Sequence, residues 1–353
     1  MKILLTGGGT LGPVTPLLAL VETWRMSDTC PEFVWVGTPN GPERALVEEV
    51  NHISFRVIPV VKFPRAFSLQ WILIPFRFLN ALYLSTQILR SEKPDVIVGA
   101  GGFTQVPVIF AAALLQIPCV VLQTDVHPLL STKFVVPFVK RIFLGWEKTR
   151  SAFPKSKTQV VGVPVRPSIV NGSCEHAASL FGFDLGKPTV LVFGGGTGAL
   201  WINQQIHQIL PELCQIANVL HVTGIGKKTI EPGSIPGYKA VESLQEGMAD
   251  AYAIADLVVG RAGSGTISEI SALSKPAILI PLPDSPQEEN ADAVSDAVRI
   301  VNQKETSAQM LLQEIRSLLN DTERRSLYTS RIQTVVHTNV AHQIIKEIEL
   351  LRK

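Results

Sequence analysis

No Cys-x-x-C pair and no Asp-x-Asp motif occur in this sequence of 353 residues, and each omission removes a class of chemistry. The four cysteines, Cys30, Cys119, Cys174 and Cys214, stand far apart and beside no evident metal-ligand or catalytic partner. That usage excludes a zinc ribbon and a disulfide framework, and it reads as reduced thiols in a cytoplasmic protein. Without the paired aspartates that hold a metal on a diphosphate, no metal is expected, and no organic cofactor is expected either. Charge is also scarce, at 18% of residues with a net of +2, against 46% hydrophobic. So small a net charge gives no footing for nucleic acid. The apolar share excludes disorder, and the length accommodates two domains.

No secretory leader is expected either: the sequence opens on a strand, Lys2 to Thr6, and the expectation is a protein that stays on the cytoplasmic side. A membrane-spanning run is not expected. The nearest approach, Phe63 to Leu89, contains Trp71, several Phe and no acid, but Pro75 and Arg77 interrupt it near its middle. Two readings remain for it, an apolar helix pair packed on a sheet or a surface that meets a headgroup boundary through aromatics and snorkelling arginines. From Lys133 to Lys157 only Glu147 is acidic, against Lys133, Lys140, Arg141, Lys148, Arg150, Lys155 and Lys157. The coincidence favours an anionic membrane surface as partner, with a solvated basic face as the plainer alternative.

What the chain has in abundance is glycine at the ends of strands. Strand Lys2 to Thr6 runs into Gly7-Gly8-Gly9-Thr10-Leu11-Gly12-Pro13 and a helix from about Val14. Strand Asp95 to Gly99 runs into Ala100-Gly101-Gly102 and a helix over Val108 to Gln116, and strand Val190 to Phe193 into Gly194 to Ala199 and a helix over Leu200 to Leu210. The β-α-β-α rhythm implies parallel sheets covered on both faces, with ligands at the carboxyl ends of the strands. Since the GGGT of residues 7–10 returns at 194–197, two similar doubly wound domains are expected, facing each other across a cleft. The proline-punctuated stretch Val163 to Pro167 separates them.

The stretch Val258 to Ala291 carries the most chemistry. A buried strand to Gly260 leads into a Gly-Ser-Gly turn at Gly263 to Gly265 and a helix from about Thr266 to Leu273, so several unpaired N–H groups converge as they do around a phosphate. Glu269, one turn on, is an acceptor-only carboxylate suited to the vicinal hydroxyls of a ribose. Gln287 and Asn290 are uncharged hydrogen-bonders suited to sugar hydroxyls. Phosphate, ribose and sugar together describe a nucleotide-sugar, although a plain strand-turn-helix with a solvated Glu fits the same residues.

In order along the chain, GGGTLGPVTP, GAGGF, GVPVR, VFGGGTGALWINQ, DLVVGRAGSGTISE and QEENA resemble the motifs of the MurG family, UDP-N-acetylglucosamine transferases of the GT-B class that convert lipid I to lipid II. The resemblance covers nearly the whole chain. It implies an α/β fold of two facing Rossmann-like domains. Residues 1–163 would be acceptor- and membrane-facing, and residues 164–353 would bind UDP-sugar, with the last helix able to pack back on the first domain. It also implies UDP-N-acetylglucosamine and a polyprenyl-diphosphate glycolipid as partners, at the cytoplasmic side of the membrane. Donor contacts then fall on Thr10, Leu11, Gly12, Asp125, Arg166, Gly196, Gln245, Ser264, Gly265, Thr266, Ile267, Ser268, Glu269 and Gln287.

The departures concern the acceptor side. Where the family has Gly-Gly-His this chain has Leu11-Gly12-Pro13, and where it has His-Glu-Gln-Asn this chain has Leu122-Gln123-Thr124-Asp125. Gly196 stands where a serine is usual. Sugar transfer needs a base for the acceptor hydroxyl, and with Pro13 and Gln123 unable to titrate, Asp125 is the first candidate and His127 the second. Helix N-termini after the glycine turns, with Arg166, would neutralise the leaving diphosphate. Two rivals share the architecture: a UDP-N-acetylglucosamine 2-epimerase, and a nucleotide-sugar binder without turnover.

Overall fold

The computed structural model describes residues 1–50, 52–59, 70–196, 198–227, 235–244, 247–335 and 339–351. The chain divides into two compact units, Met1–Arg166 together with Thr338–Lys353, and Pro167–His337. The division falls within the proline-punctuated stretch Val163 to Pro167, and the end of the chain belongs to the first unit.

The first unit runs β1 (Lys2–Thr6), α1 (Val14–Arg25), β2 (Glu32–Gly37), α2 (Glu43–Glu49), β3 (Ile53–Val57), α3 (Gln70–Glu92), β4 (Val96–Gly99), α4 (Gln105–Leu114), β5 (Cys119–Gln123), α5 (Leu130–Val135), β6 (Arg141–Leu144) and β7 (Thr158–Val160). Its seven strands form one parallel sheet in the order β3-β2-β1-β4-β5-β6-β7. Alternate residues of β1 feed opposite cores, as the two-residue period of a strand requires. Ile3 and Leu5 pack with Leu17, Leu20 and Trp24 of α1, whereas Leu4 packs with Val108, Ile109 and Ala112 of α4.

The second unit runs α6 (Cys174–Phe181), β8 (Thr189–Phe193), α7 (Leu200–Ile216), β9 (Asn218–Val222), β10 (Tyr238–Val241), α8 (Met248–Ile254), β11 (Leu257–Gly260), α9 (Ser264–Ala272), β12 (Ala277–Leu279), α10 (Gln287–Asp292), β13 (Arg299–Ile300), α11 (Ala308–Asn320) and α12 (Thr322–Ile332). Six parallel strands are ordered β10-β9-β8-β11-β12-β13. Val190 and Val192 of β8 meet Ile202, Ile206 and Ile209 of α7 and Leu311 and Ile315 of α11. Each unit is thus a doubly wound α/β layer structure.

The helical spacing after Glu323 reads as a single element in the sequence, but it is two. α12 stops at Ile332, and α13 (Val340–Leu350) begins after Asn339 in the left-handed conformation, φ 64°. In α13, Ile344, Ile345 and Ile348 join the core against α1, and Trp24 Nε1 donates to Glu349 at 3.4 Å. Burying these isoleucines contributes about 1.5–3 kcal/mol apiece, which is what attaches the chain's end to the first unit. Two helices also begin earlier than their apolar pattern indicates. α4 starts at Gln105 because Pro107, in the first turn, has no N–H to leave orphaned. α9 starts at Ser264, so the Ser-Gly pair of the expected turn is already helical.

Candidate functional site

In the second unit the chemistry gathers at the carboxyl ends of β8, β11 and β12. Helix α9 follows Gly263, whose backbone is extended (φ −71°, ψ 147°), and no side chain caps it. Its first backbone bond is Ile267 N–H to Gly263 O, so the N–H groups of Ser264, Gly265 and Thr266 lie before that ladder and point out of the helix start. Glu269 sits one turn further on, half-buried, and its Oε2 accepts from Tyr252 Oη at 2.9 Å. Tyr252 is itself fully buried and meets the Phe193 ring edge-on at 5.9 Å. A carboxylate offers about four lone-pair sites, and the phenol bond orients this one.

Two side chains tie this turn to the loop after β12. Arg261 is buried, donating through Nη1 to the Ile280 and Pro281 carbonyls at 3.0 and 3.2 Å and through Nη2 to Gln303 Oε1 at 2.7 Å. Asn290, wholly buried, donates to Ala262 O at 3.2 Å. Asn290 therefore ties α10 to the α9 turn through this bond. Gln287 is half-buried, and its Oε1 accepts from Leu282 N–H at 3.0 Å. Within the run 264–269, Ile267 and Ser268 face inward, Ser268 Oγ donating to Ser264 O at 2.9 Å. What the run offers a ligand is accordingly the backbone of Ser264 to Thr266 and the Glu269 carboxylate.

The turn after β8 is glycine-built for a steric reason. Gly195 and Gly198 have φ of 77° and 69°, and a Cβ on Gly198 would collide with Thr223 O. Gly196 is exposed at its tip. Asn203 of α7 locks the neighbourhood, donating to Thr223 O at 2.9 Å and pairing with His221 Nε2 at 3.0 Å, while His221 Nδ1 pairs with Tyr238 Oη at 3.1 Å. Burial, with a smaller contribution from His207, pushes the His221 pKa down to about 4, so the ring is neutral. Gln245 lies outside the described residues.

In the first unit three turns meet at the carboxyl ends of β1, β4 and β5. Thr10 and Gly12 are exposed, and Leu11 packs its side chain on the core, so its contribution to a ligand is its backbone. A Cβ on Gly102 would collide with Gly8 O, and one on Gly101 would stand 3.2 Å from Leu129 and 3.7 Å from Pro13. The first glycine turn is also gripped from behind. Trp35 Nε1 donates to Gly7 O at 3.2 Å, and the fully buried Glu43 accepts from Gly9 N–H at 3.1 Å and from Thr38 N–H and Oγ at 2.7 and 2.6 Å. Asp125 is half-buried and His127 exposed on the turn after β5, and Arg166, half-buried, is the last residue of the unit's first segment.

Residues 3–144 match the N-terminal domain of glycosyltransferase family 28, and residues 189–348 match its C-terminal domain. A protein of Lachnospira eligens called UDP-N-acetylglucosamine--N-acetylmuramyl-(pentapeptide) pyrophosphoryl-undecaprenol N-acetylglucosamine transferase is 34% identical over 97% of this chain and 95% of its own. The chain belongs to the MurG family of glycosyltransferases. Its fold is shared with the crystal structure of Acinetobacter baumannii MurG, at a TM-score of 0.70 and 22% identity over 99% of both chains. A Neisseria meningitidis UDP-GlcNAc 2-epimerase bound to UDP-GlcNAc has the same fold, at a TM-score of 0.70 and 16% identity over 100% of both chains. Architecture alone therefore does not separate transferase from epimerase.

For this MurG-family chain, sequence reasoning missed the residues that support the site. Tyr252 and Glu43 lie in no motif, and Arg261, although inside DLVVGRAGSGTISE, has no role there until its partners are seen. Gly8, Gly37 and Gly41 all lie against the Glu43 side chain, a proximity that exists only in the fold.

Proposed function

We propose that this chain transfers N-acetylglucosamine from UDP-N-acetylglucosamine to a polyprenyl-diphosphate-linked N-acetylmuramyl pentapeptide, converting lipid I to lipid II on the cytoplasmic side of the membrane. The observation that carries the proposal is the uncapped start of α9 beside a Glu269 already oriented by Tyr252, in a chain whose relatives are named for that transfer. The helix start is suited to a diphosphate, Glu269 to the ribose hydroxyls, and the Gln287 amide to the sugar. In the transfer the acceptor hydroxyl oxygen bonds to the anomeric carbon. The bond from that carbon to the β-phosphate oxygen breaks, UDP leaves with the electron pair, and the hydroxyl proton passes to Asp125, with His127 next in line. Gly196, Gln245 and Arg166, with Thr10, Leu11 and Gly12, complete the donor set.

The acceptor's lipid fits one face of the first unit. Leu73, Phe76, Leu79 and Tyr83 of α3 are exposed, and Phe78 packs edge-on against Phe110, which lies tilted against the exposed Phe138. Exposed Arg77, Lys133 and Lys140 lie on the same group of elements. Among the described residues no helix is long and apolar enough to cross a membrane, so contact would be peripheral. Residues 63–69, part of the aromatic stretch, lie outside the described residues. The test is to supply UDP-N-acetylglucosamine and lipid I in anionic bilayers and to look for lipid II. UDP-sugar bound without transfer would identify a non-catalytic homologue, and UDP-N-acetylmannosamine formed without acceptor would identify an epimerase.

A further inference from the structure

Gln123, the last residue of β5, is wholly buried, and its amide is used at both ends. Nε2 donates to Asp125 O and to His127 O, both at 2.9 Å, and Oε1 accepts from Leu129 N–H at 3.3 Å. Those neighbours fix which end is which, because a carbonyl only accepts and a backbone N–H only donates. Other donors occupy the carbonyls between. Gly145 N–H reaches Gln123 O at 2.9 Å, Trp146 Nε1 reaches Thr124 O at 2.8 Å, and Thr149 Oγ reaches Val126 O at 2.9 Å. Every carbonyl from Gln123 to His127 is thus claimed by a partner from the segment after β6 or from Gln123 itself. A turn held in this way has little backbone freedom left to lose when a substrate arrives.

We propose that Gln123 is the positioning residue of the turn that carries Asp125 and His127, an arrangement that works because the side chain is an amide and not an acid. The inference rests on the reading of that turn as the acceptor side of the transfer. A carboxylate at this position, as in the family motif, has no proton for either carbonyl and would set two oxygens against two oxygens. Protonated, it donates to one carbonyl and still accepts from Leu129. Gln123 touches no substrate in this account; it acts through the backbone of the residues that do.

The experiment uses the full-length protein and two variants, Gln123→Glu and Gln123→Met, read by hydrogen exchange over residues 124–129 and by lipid II formation. In Gln123→Met the Leu129 amide exchanges about tenfold faster than in the wild-type protein. Gln123→Glu shows the same loosening at pH 8 and recovers towards wild type as the pH falls, each value compared with wild type at the same pH. Titratable groups on the turn (Asp125, His127) and on the segment after Trp146 (Glu147, Lys148, Arg150) are common to all three proteins, so that comparison removes their contribution. Turnover at pH 8 falls by up to about a hundredfold in both variants, with UDP affinity unchanged, as expected for misplaced but intact groups. Wild-type exchange in both variants would overturn the proposal. A loosened turn with wild-type turnover supports the positioning role and removes Asp125 and His127 from the transfer. If Gln123→Met does not fold, the pH dependence of exchange in Gln123→Glu decides alone.

Discussion

Replacing Glu269 with alanine tests the donor site at its most informative point. The carboxylate is half-buried, oriented by Tyr252 Oη at 2.9 Å, and one turn beyond the uncapped start of α9. Across a vicinal diol it would accept two charge-assisted hydrogen bonds, each worth about 1.5–3 kcal/mol when buried. Partial exposure and the loss of one oriented group, not two independent ones, reduce the sum to about 1.5–3 kcal/mol in total. In a calorimetric titration with UDP that is a loss of about ten- to 150-fold in affinity. Tyr252→Phe keeps the carboxylate and removes only its orienting bond, so it should weaken UDP by about 0.5–1.5 kcal/mol. Deoxy-UDP lacking a ribose hydroxyl should bind the wild-type protein more weakly and Glu269→Ala no more weakly than UDP does. If Glu269→Ala lowers the melting temperature but binds UDP as wild type does, the Glu269–Tyr252 pair is packing and the ribose assignment fails.

Asp125→Asn should reduce turnover by about a hundredfold or more while leaving UDP binding equal or tighter, and retained turnover would transfer the base role to His127. Glu43→Gln cannot accept from both Thr38 N–H and Gly9 N–H without turning its NH₂ towards a donor, and it should lose about 1–3 kcal/mol in denaturant unfolding; an unchanged midpoint refutes that. Phe76→Ser with Leu79→Ser should reduce flotation with anionic liposomes, as should raised salt, and flotation unaffected by both would make the α3 face mere packing. His221, with its ordinary pKa of 6.5 depressed to about 4, contributes roughly 3 kcal/mol of stability that is complete above pH 6.5 and lost as the pH falls towards 4. His221→Asn should flatten that acid limb of the stability curve, and an unaltered limb would show that the ring does not govern it.

The sequence displayed what repeats and what is exposed to simple rules. Glycine-ended apolar strands marked β1, β4, β8 and β11, because a buried parallel strand needs a continuous apolar run and its turn needs backbone freedom. Less was legible where a polar side chain meets a partner far away in sequence. Asn290 reads as a sugar ligand from its neighbour Gln287, and its bond to Ala262 O, twenty-eight positions earlier, has no signal in the sequence. Ile267 and Ser268 belong to the donor run by alignment, but the helical period turns them to the core and leaves Glu269 outward. The helix starts at Gln105 and Ser264 were missed because Pro107 and Gly265, both breakers in a helix interior, cost little in a first turn where N–H groups have no partner anyway.

The two units solve one problem twice. A turn at a strand end, most of all one built of glycine, is permissive by nature, so a site built on it needs something else to make it single-valued. In the first unit Glu43 grips Gly9, Gln105 accepts from Gly101 N–H at 3.0 Å, and Gln123 gathers the turn after β5. In the second, Asn203 holds Thr223, Arg261 holds the Ile280–Pro281 carbonyls, and Asn290 holds Ala262. None of these side chains has to touch a ligand, and each is buried, where an unmade hydrogen bond is expensive. The family motif departs from this chain at Pro13 and Gln123, and the two changes have opposite physical meaning. Pro13 removes a titratable group and supplies a rigid start to α1, whereas Gln123 exchanges an acceptor for a donor at the centre of a network that uses the donor twice. The second exchange ties the turn that carries Asp125 and His127 to the end of β5 through two donated hydrogen bonds.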